Sequence, residues 1–144
     1  MQICFVCEGN TCRSPFAEKL FKSMLKKNNI RGISVTSCGI NVSREQRTSP
    51  QILILLEKYG IKFNGKKAQK LTKSKLEQTD LFITMTKYQK QFINSSKVYS
   101  LGELAGGDDV LDPYQKDMSC YEYMAQQVSE YLNVLIKKLK GVNR

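Results

Sequence analysis

The chain contains no histidine and no tryptophan, and the first absence removes a large part of enzyme chemistry. Ser-His-Asp and Cys-His catalysis both need an imidazole to take a proton, so a nucleophile here must be activated by cations and dipoles. Five cysteines, Cys4, Cys7, Cys12, Cys38 and Cys120, form an odd set without metal-ligand spacing. No metal site and no cofactor is therefore expected. Acidic residues are scarce, 13 against 23 Lys and Arg, for a formal charge of +10. That balance attracts anions without saying which. Many lysines fall in solvated helical stretches such as Lys26-Lys27 and Lys137-Lys138. No nucleic-acid module or aromatic-interleaved basic stripe is visible, so nucleic acid is not an expected partner.

Long apolar runs, linkers, repeats and low-complexity tracts are also missing. Nothing approaches membrane-spanning length, and the start Met1 to Glu8 has neither the basic lead nor the apolar length of a signal peptide. The expectation is one domain over residues 1–144, with a substantial core, working in the cytoplasm as a monomer without membrane partners. Each of the three prolines, Pro15, Pro50 and Pro113, marks a boundary.

What is present is concentrated in one stretch, Val6-Cys7-Glu8-Gly9-Asn10-Thr11-Cys12-Arg13-Ser14-Pro15. The apolar run Ile3 to Val6 reads as a strand, and Ala17, Leu20, Phe21, Met24 and Leu25 mark one face of a following helix. A cysteine thus leaves a strand, enters a small-residue loop and ends at a helix N-terminus, where unpaired N–H groups and the helix dipole favour an anion. Gly9 and Asn10 tolerate positive φ, which lets successive amides turn inward as a nest. Arg13 can fold back and grip two phosphate oxygens with its planar fork. The stretch is thus a site for an anion beside a thiol.

The first helix is expected from Pro15 to about Asn28 with Ser14 as its N-cap. Ile33 to Ser37 alternates as a second strand, and Ser49-Pro50 opens a helix through Tyr59. Thr72 caps a short helix to Glu77, Asp80 to Met85 forms a third strand, and Lys87 to Ile93 a helix. Val98 to Ser100 is a fourth strand. Leu101 to Met118 reads as the longest loop, before an amphipathic helix carried by Tyr121, Ala125, Val128, Leu132, Leu135 and Leu139. Alternating strands and helices imply an α/β fold: a four-stranded parallel sheet with helices on both faces and a phosphate-binding loop after the first strand. Ligands gather at the carboxyl ends of such strands, where the loop after strand four can bring Asp112 towards Cys7. A leaving oxygen must be protonated as it departs, and Asp112, stiffened by Pro113, is the candidate acid. Asp108, Asp109 and Asp117 are the alternatives. Tyr114 offers an aromatic wall.

Cys7, five intervening residues, Arg13 and Ser14 resemble the signature loop of the protein tyrosine phosphatases. The N-terminal position of the loop, its Gly9-Asn10 pair and Ser14-Pro15 resemble the low-molecular-weight family in particular, as does Asp112-Pro113 followed by an aromatic. The resemblance implies attack by Cys7 on phosphorus to give a cysteinyl phosphate, with Asp112 first giving a proton and then activating water. It implies phosphoproteins as substrates and inorganic phosphate as product. Arg13 and the amides of Glu8, Gly9, Asn10, Thr11 and Cys12 would hold the phosphate oxygens, with Ser14 assisting the thiolate and Asn10 holding the backbone.

Within the family the position of Thr11 is commonly a branched aliphatic in tyrosine phosphatases, whereas threonine resembles the bacterial protein arginine phosphatase branch. The expected substrate is therefore phosphoarginine, with phosphotyrosine as the alternative. Three departures stand out. The family's histidine that supports the loop asparagine is replaced by Gly65-Lys66-Lys67-Ala68, so support must come from elsewhere. The wall loop Asn41 to Ser49 has no aromatic, and a single tyrosine follows Pro113. A thiol-dependent arsenate reductase would need relay cysteines that residues 82–90 lack, and an inactive phosphoprotein-binding module would not need both Cys7 and Asp112. Cys4, Cys38 and Cys120 are expected to be core residues. Cys12 either fills space beneath the loop or pairs with Cys7 on oxidation.

Overall fold

Ile3, Phe5 and Cys7 point to one side of strand β1 (Gln2–Cys7), Cys4 and Val6 to the other, and all five are buried. A strand covered on both faces must be central. In the computed structural model, which describes residues 1–142, β1 pairs in parallel with β2 (Ser34–Gly39) on one side and β3 (Leu81–Thr84) on the other. Strand β4 (Val98–Ser100) extends the sheet beyond β3, also in parallel, for an order β2-β1-β3-β4. The expected single-domain α/β architecture is the one observed.

The two faces carry separate cores. Helices α1 (Arg13–Lys27), α2 (Pro50–Lys58) and α5 (Met118–Val142) cover the side of Ile3, Phe5 and Cys7. Phe16, Leu20, Phe21, Leu56, Met124, Val128 and Leu132 fill that core, and Phe5 meets Phe21 edge to face at 5.7 Å. Full burial of side chains of this size stabilises by roughly 1.5–3 kcal/mol each. The opposite face is smaller: Cys4, Val6, Cys38, Phe82 and Ile93 lie under Leu71 and under Leu76 of α3 (Lys73–Gln78). Thr72 caps α3 as expected, its Oγ1 accepting from the Lys75 amide.

Four details differ from expectation. Helix α1 begins at Arg13, with Cys12 rather than Ser14 at the N-cap position, because the Ser14 hydroxyl is engaged elsewhere. Residues Tyr88–Phe92 form a 3-10 turn, not an α-helix. The segment taken as one long loop opens with helix α4 (Leu101–Ala105), held by a reciprocal capping box between Ser100 and Glu103. Cys120 is half-buried on α5, whereas Cys4 and Cys38 are core residues, their sulfurs 3.5 Å apart. Among the described residues no helix is long and apolar enough to cross a membrane.

All four strands point their carboxyl ends to one edge, and β1 and β2 end level, Cys7 opposite Gly39. Gly39 is the point of closest approach: a Cβ there would lie 2.6 Å from the Glu8 carbonyl oxygen and 2.9 Å from the Asn10 nitrogen. Backbone atoms cannot yield as a side-chain tip can. Gly39→Ala is expected to lower the unfolding free energy by about 1–3 kcal/mol, the usual cost of overpacking, read in a urea titration, and to weaken phosphate binding measured by calorimetry.

Candidate active site

The loop from Cys7 to Arg13 is shaped by bonds made on its outer side. The carbonyls of Cys7, Glu8 and Thr11 accept from the amides of Ile40, Asn41 and Ser49. In a planar trans peptide the N–H points opposite to the carbonyl, so the amides of Glu8, Gly9 and Cys12 turn inward. A pocket of about 250 Å³ lies there, lined by Cys7, Glu8, Gly9, Thr11, Cys12 and Arg13 from the loop. Asn41, Ser43 and Gln46 form a second wall, Asp112 and Tyr114 a third.

Asn10 holds the loop's turn. Its φ is 56°, in the left-handed region that asparagine tolerates better than most residues. The side chain is fully buried and fully bonded: Nδ2 donates to Ser14 Oγ at 2.8 Å and Ser37 Oγ at 3.0 Å, and Oδ1 accepts from the Gln69 amide at 2.8 Å. Ser14 in turn lies 2.9 Å from Cys7 Sγ, hydroxyl to sulfur, with the Cys38 carbonyl 3.4 Å from its oxygen. Asn10 and Ser14 therefore sit behind the loop and not on the pocket wall, whereas Glu8, Gly9, Thr11 and Cys12 line it.

Behind Asn10 runs a network that sequence reasoning missed. Ser37 donates to Glu18 Oε1 at 2.6 Å, Lys66 Nζ donates to the same oxygen at 2.7 Å, and Lys22 Nζ donates to Oε2 at 3.0 Å. Lys66 thus stands in the neighbourhood where histidine was noted as absent. Glu18 is buried, which alone would raise its pKa, but the bonds from Lys66, Ser37 and Lys22 outweigh burial and bring it down to about 2. The available signal was Glu18's place on the apolar face of α1, three and seven positions before Phe21 and Leu25, with Lys22 four positions on. Its partners 19 and 48 positions away carried none.

Arg13 is also buried, 4% exposed, although charged. Its Nη1 donates to the Val110 carbonyl at 3.2 Å, and Nη2 lies 3.6 Å from Asp112 Oδ2. The segment after α4 therefore reaches the loop, with Asp112 exposed at the mouth and its other oxygen accepting from the Tyr114 amide at 3.1 Å. Of the four aspartates considered, Asp112 alone lines the pocket, while Asp109 caps the Lys87 amide and Asp117 caps the start of α5. Cys12 is buried, its sulfur 3.8 Å from the Tyr121 hydroxyl. Burial pushes the Cys12 thiol up, and with it Tyr121 to about 12.

A strand-loop-helix with a cysteine and a buried arginine around a small pocket, at the carboxyl edge of a parallel sheet, is the arrangement of a cysteine-dependent phosphatase. Residues 2–143 match the family described as low molecular weight phosphotyrosine protein phosphatase, and the chain belongs to that family. It is 36% identical over the full length of both chains to a protein-arginine-phosphatase of Bacillus subtilis. It is 33% identical to the low molecular weight protein-tyrosine-phosphatase PtpB of Staphylococcus haemolyticus, covering 97% of this chain and 98% of that one. Among solved structures it is similar to the YwlE arginine phosphatase in a Cys-to-Ser form with a phosphorylated active-site serine. That match has a TM-score of 0.89 at 36% identity, over 97% of this chain and 96% of the other.

The Glu18 network makes a stability prediction. Its folded pKa of about 2 lies below the ordinary 4.5, so its contribution is complete above about pH 4.5 and disappears as pH falls towards 2. Glu18→Gln should cost about 1.5–3 kcal/mol at neutral pH, the range for hydrogen bonds to a charged group. Urea titrations from pH 7 to 2 should show the wild type losing more stability than the variant across that window.

Proposed function

We propose that this chain removes phosphate from phosphoarginine in proteins, with Cys7 as nucleophile, Arg13 and the loop amides as the phosphate cradle, and Asp112 as acid and base. The Cys7 sulfur attacks phosphorus, the phosphorus–nitrogen bond breaks, and Asp112 supplies the proton that the departing nitrogen needs. In the second step the Asp112 carboxylate takes a proton from water, whose oxygen attacks phosphorus while the sulfur–phosphorus bond breaks. Inorganic phosphate leaves and the thiolate returns. Ser14, 2.9 Å from the sulfur, donates to it as that charge reappears. The chain's own charge carries the chemistry: each step moves one proton, through Asp112, and no imidazole is required.

The observation that favours arginine is the pocket wall. Thr11 stands beside Cys7 with a hydroxyl, and the facing residues Asn41, Ser43 and Gln46 are polar and non-aromatic. A guanidino group is polar along its whole edge and finds hydrogen-bond partners there, and Asp112 lines the same pocket within reach of its departing nitrogen. The similarity to the B. subtilis protein-arginine-phosphatase over the full length supports the same reading. Tyr114 favours the second reading, phosphotyrosine, since its ring lines the mouth where an aryl group would stack. A thiolate nucleophile needs a reducing compartment, so we place this activity in the cytoplasm, carried out by the monomer.

Matched phosphoarginine and phosphotyrosine peptides decide between the readings. The wild type is expected to prefer phosphoarginine in kcat/KM, and Thr11→Ile to erase or invert that preference. A wild type that clearly prefers phosphotyrosine sinks the arginine assignment. Cys7→Ser should abolish turnover of both, and Asp112→Asn should lower kcat by about 10²–10⁴, the usual worth of a positioned acid.

A further inference from the structure

The segments that flank the pocket differ in charge, although the lining residues Asn41, Ser43 and Gln46 are themselves neutral and Asp112 alone of the aspartates lines the opposite wall. On one side, the wall loop 41–47 and the segment 66–70 run together. Ala68 N donates to the Gln46 carbonyl, Thr48 N to the Lys66 carbonyl, and Arg47 pairs with Lys67 in an antiparallel bridge. These two segments hold five cationic side chains, Arg44, Arg47, Lys66, Lys67 and Lys70, against one carboxylate, Glu45. Lys66 is committed to Glu18, and Lys67 lies 4.0 Å from an exposed Glu45. Among the described residues no ion pair engages Arg44, Arg47 or Lys70, and all three are exposed. On the other side, residues 106–117 hold Asp108, Asp109, Asp112 and Asp117 against Lys116 alone.

Among the described residues Arg44, Arg47 and Lys70 serve no ion pair of the fold. Arg47 and Lys67 are joined through their backbones, only the exposed Glu45 answers Lys67, at 4.0 Å, and like charges placed side by side repel unless something anionic lies across them. Gln46, the neighbour of Arg47, lines the pocket, so the backbone of this strip runs within one residue of the mouth that a substrate polypeptide must cross.

Resting on the phosphoprotein reading above, we propose that the strip Arg44, Arg47, Lys67 and Lys70 is a docking surface for acidic residues flanking the phosphorylated residue of the substrate protein. The phosphate enters the loop, the acidic flank lies over the strip, and the opposite wall, Asp112 and Tyr114, offers an acidic flank no cation. Direction of binding is thereby set by charge on both sides of the mouth. The strip acts on encounter and residence, hence on KM, and leaves the chemical step alone.

Full-length protein and phosphoarginine peptides matched except for Glu, Gln or Lys flanks test this, beside a small aryl phosphate. At low salt the Glu-flanked peptide should exceed the Gln-flanked one in kcat/KM by about tenfold, through KM, and the advantage should shrink as added salt shortens the screening length. Arg47→Gln with Lys67→Gln should erase that advantage while aryl phosphate turnover stays within about twofold. Lys26→Gln with Arg31→Gln removes equal charge at the other end of α1 and should keep it.

Equal loss in both double variants would leave only net charge at work and overturn the proposal. So would peptides that are hydrolysed with no flank preference, which leaves the phosphoarginine reading standing. Aryl phosphate turnover without hydrolysis of any peptide overturns both. Tighter binding of a short single-stranded RNA than of the Glu-flanked peptide would assign the strip to nucleic acid instead.

Discussion

The site depends on one buried amide. Asn10 sits at φ 56° with no exposure to solvent, and its two N–H groups and its carbonyl oxygen reach three different parts of the chain: Ser14 on α1, Ser37 on β2, and the backbone of Gln69. A left-handed residue in a loop is costly unless its surroundings over-determine it. Here they do, and the same bonds that hold the backbone turn also orient the Ser14 hydroxyl towards Cys7. The loop's shape and the environment of the sulfur are therefore one constraint and not two.

That clamp is backed by permanent charge. Glu18 bonds to Ser37 and is itself held by Lys66 and Lys22, so the support behind Asn10 is an ion cluster whose cations are partly exposed and whose anion is buried. Glu18, held down to about 2, stays ionised across the physiological range, so this support behind the loop persists there. Arg13 follows a related logic. It is buried where phosphate is expected, yet its charge is not isolated, since Val110 and Asp112 meet it from the segment after α4. The cradle and the candidate acid are thus joined before any substrate arrives.

The strands and the loop were legible because their signals are local. Ile3 to Val6 is apolar on both faces, and Cys7 to Pro15 carries small residues, cysteine, arginine and serine at a spacing that only a strand-loop-helix satisfies. Where local signals had to compete with distant partners, reading failed. Ser14 before Pro15 looks like a helix cap, but its hydroxyl is drawn to Cys7 and Asn10, and the helix starts at Arg13 without it. Helix α4 was passed over because five residues are too few for periodicity, although Ser100 and Glu103 had the spacing of a capping box.

The sequence by itself determined the candidate chemistry: a cysteine between a strand and a helix N-terminus, an arginine six positions on, and no histidine to share the work. These are properties of residue type and short spacing, which survive in any conformation that keeps the strand-loop-helix. Only the tertiary structure decided which aspartate reaches the mouth, what holds Asn10, and that a cationic strip runs beside the polar wall of the pocket. Those facts join residues tens of positions apart, and their proximity follows from parallel crossovers that bring every strand's carboxyl end to one edge. Asp112 meets Arg13, and Lys66 meets Glu18, because the sheet ends there and not because anything near them in the chain says so.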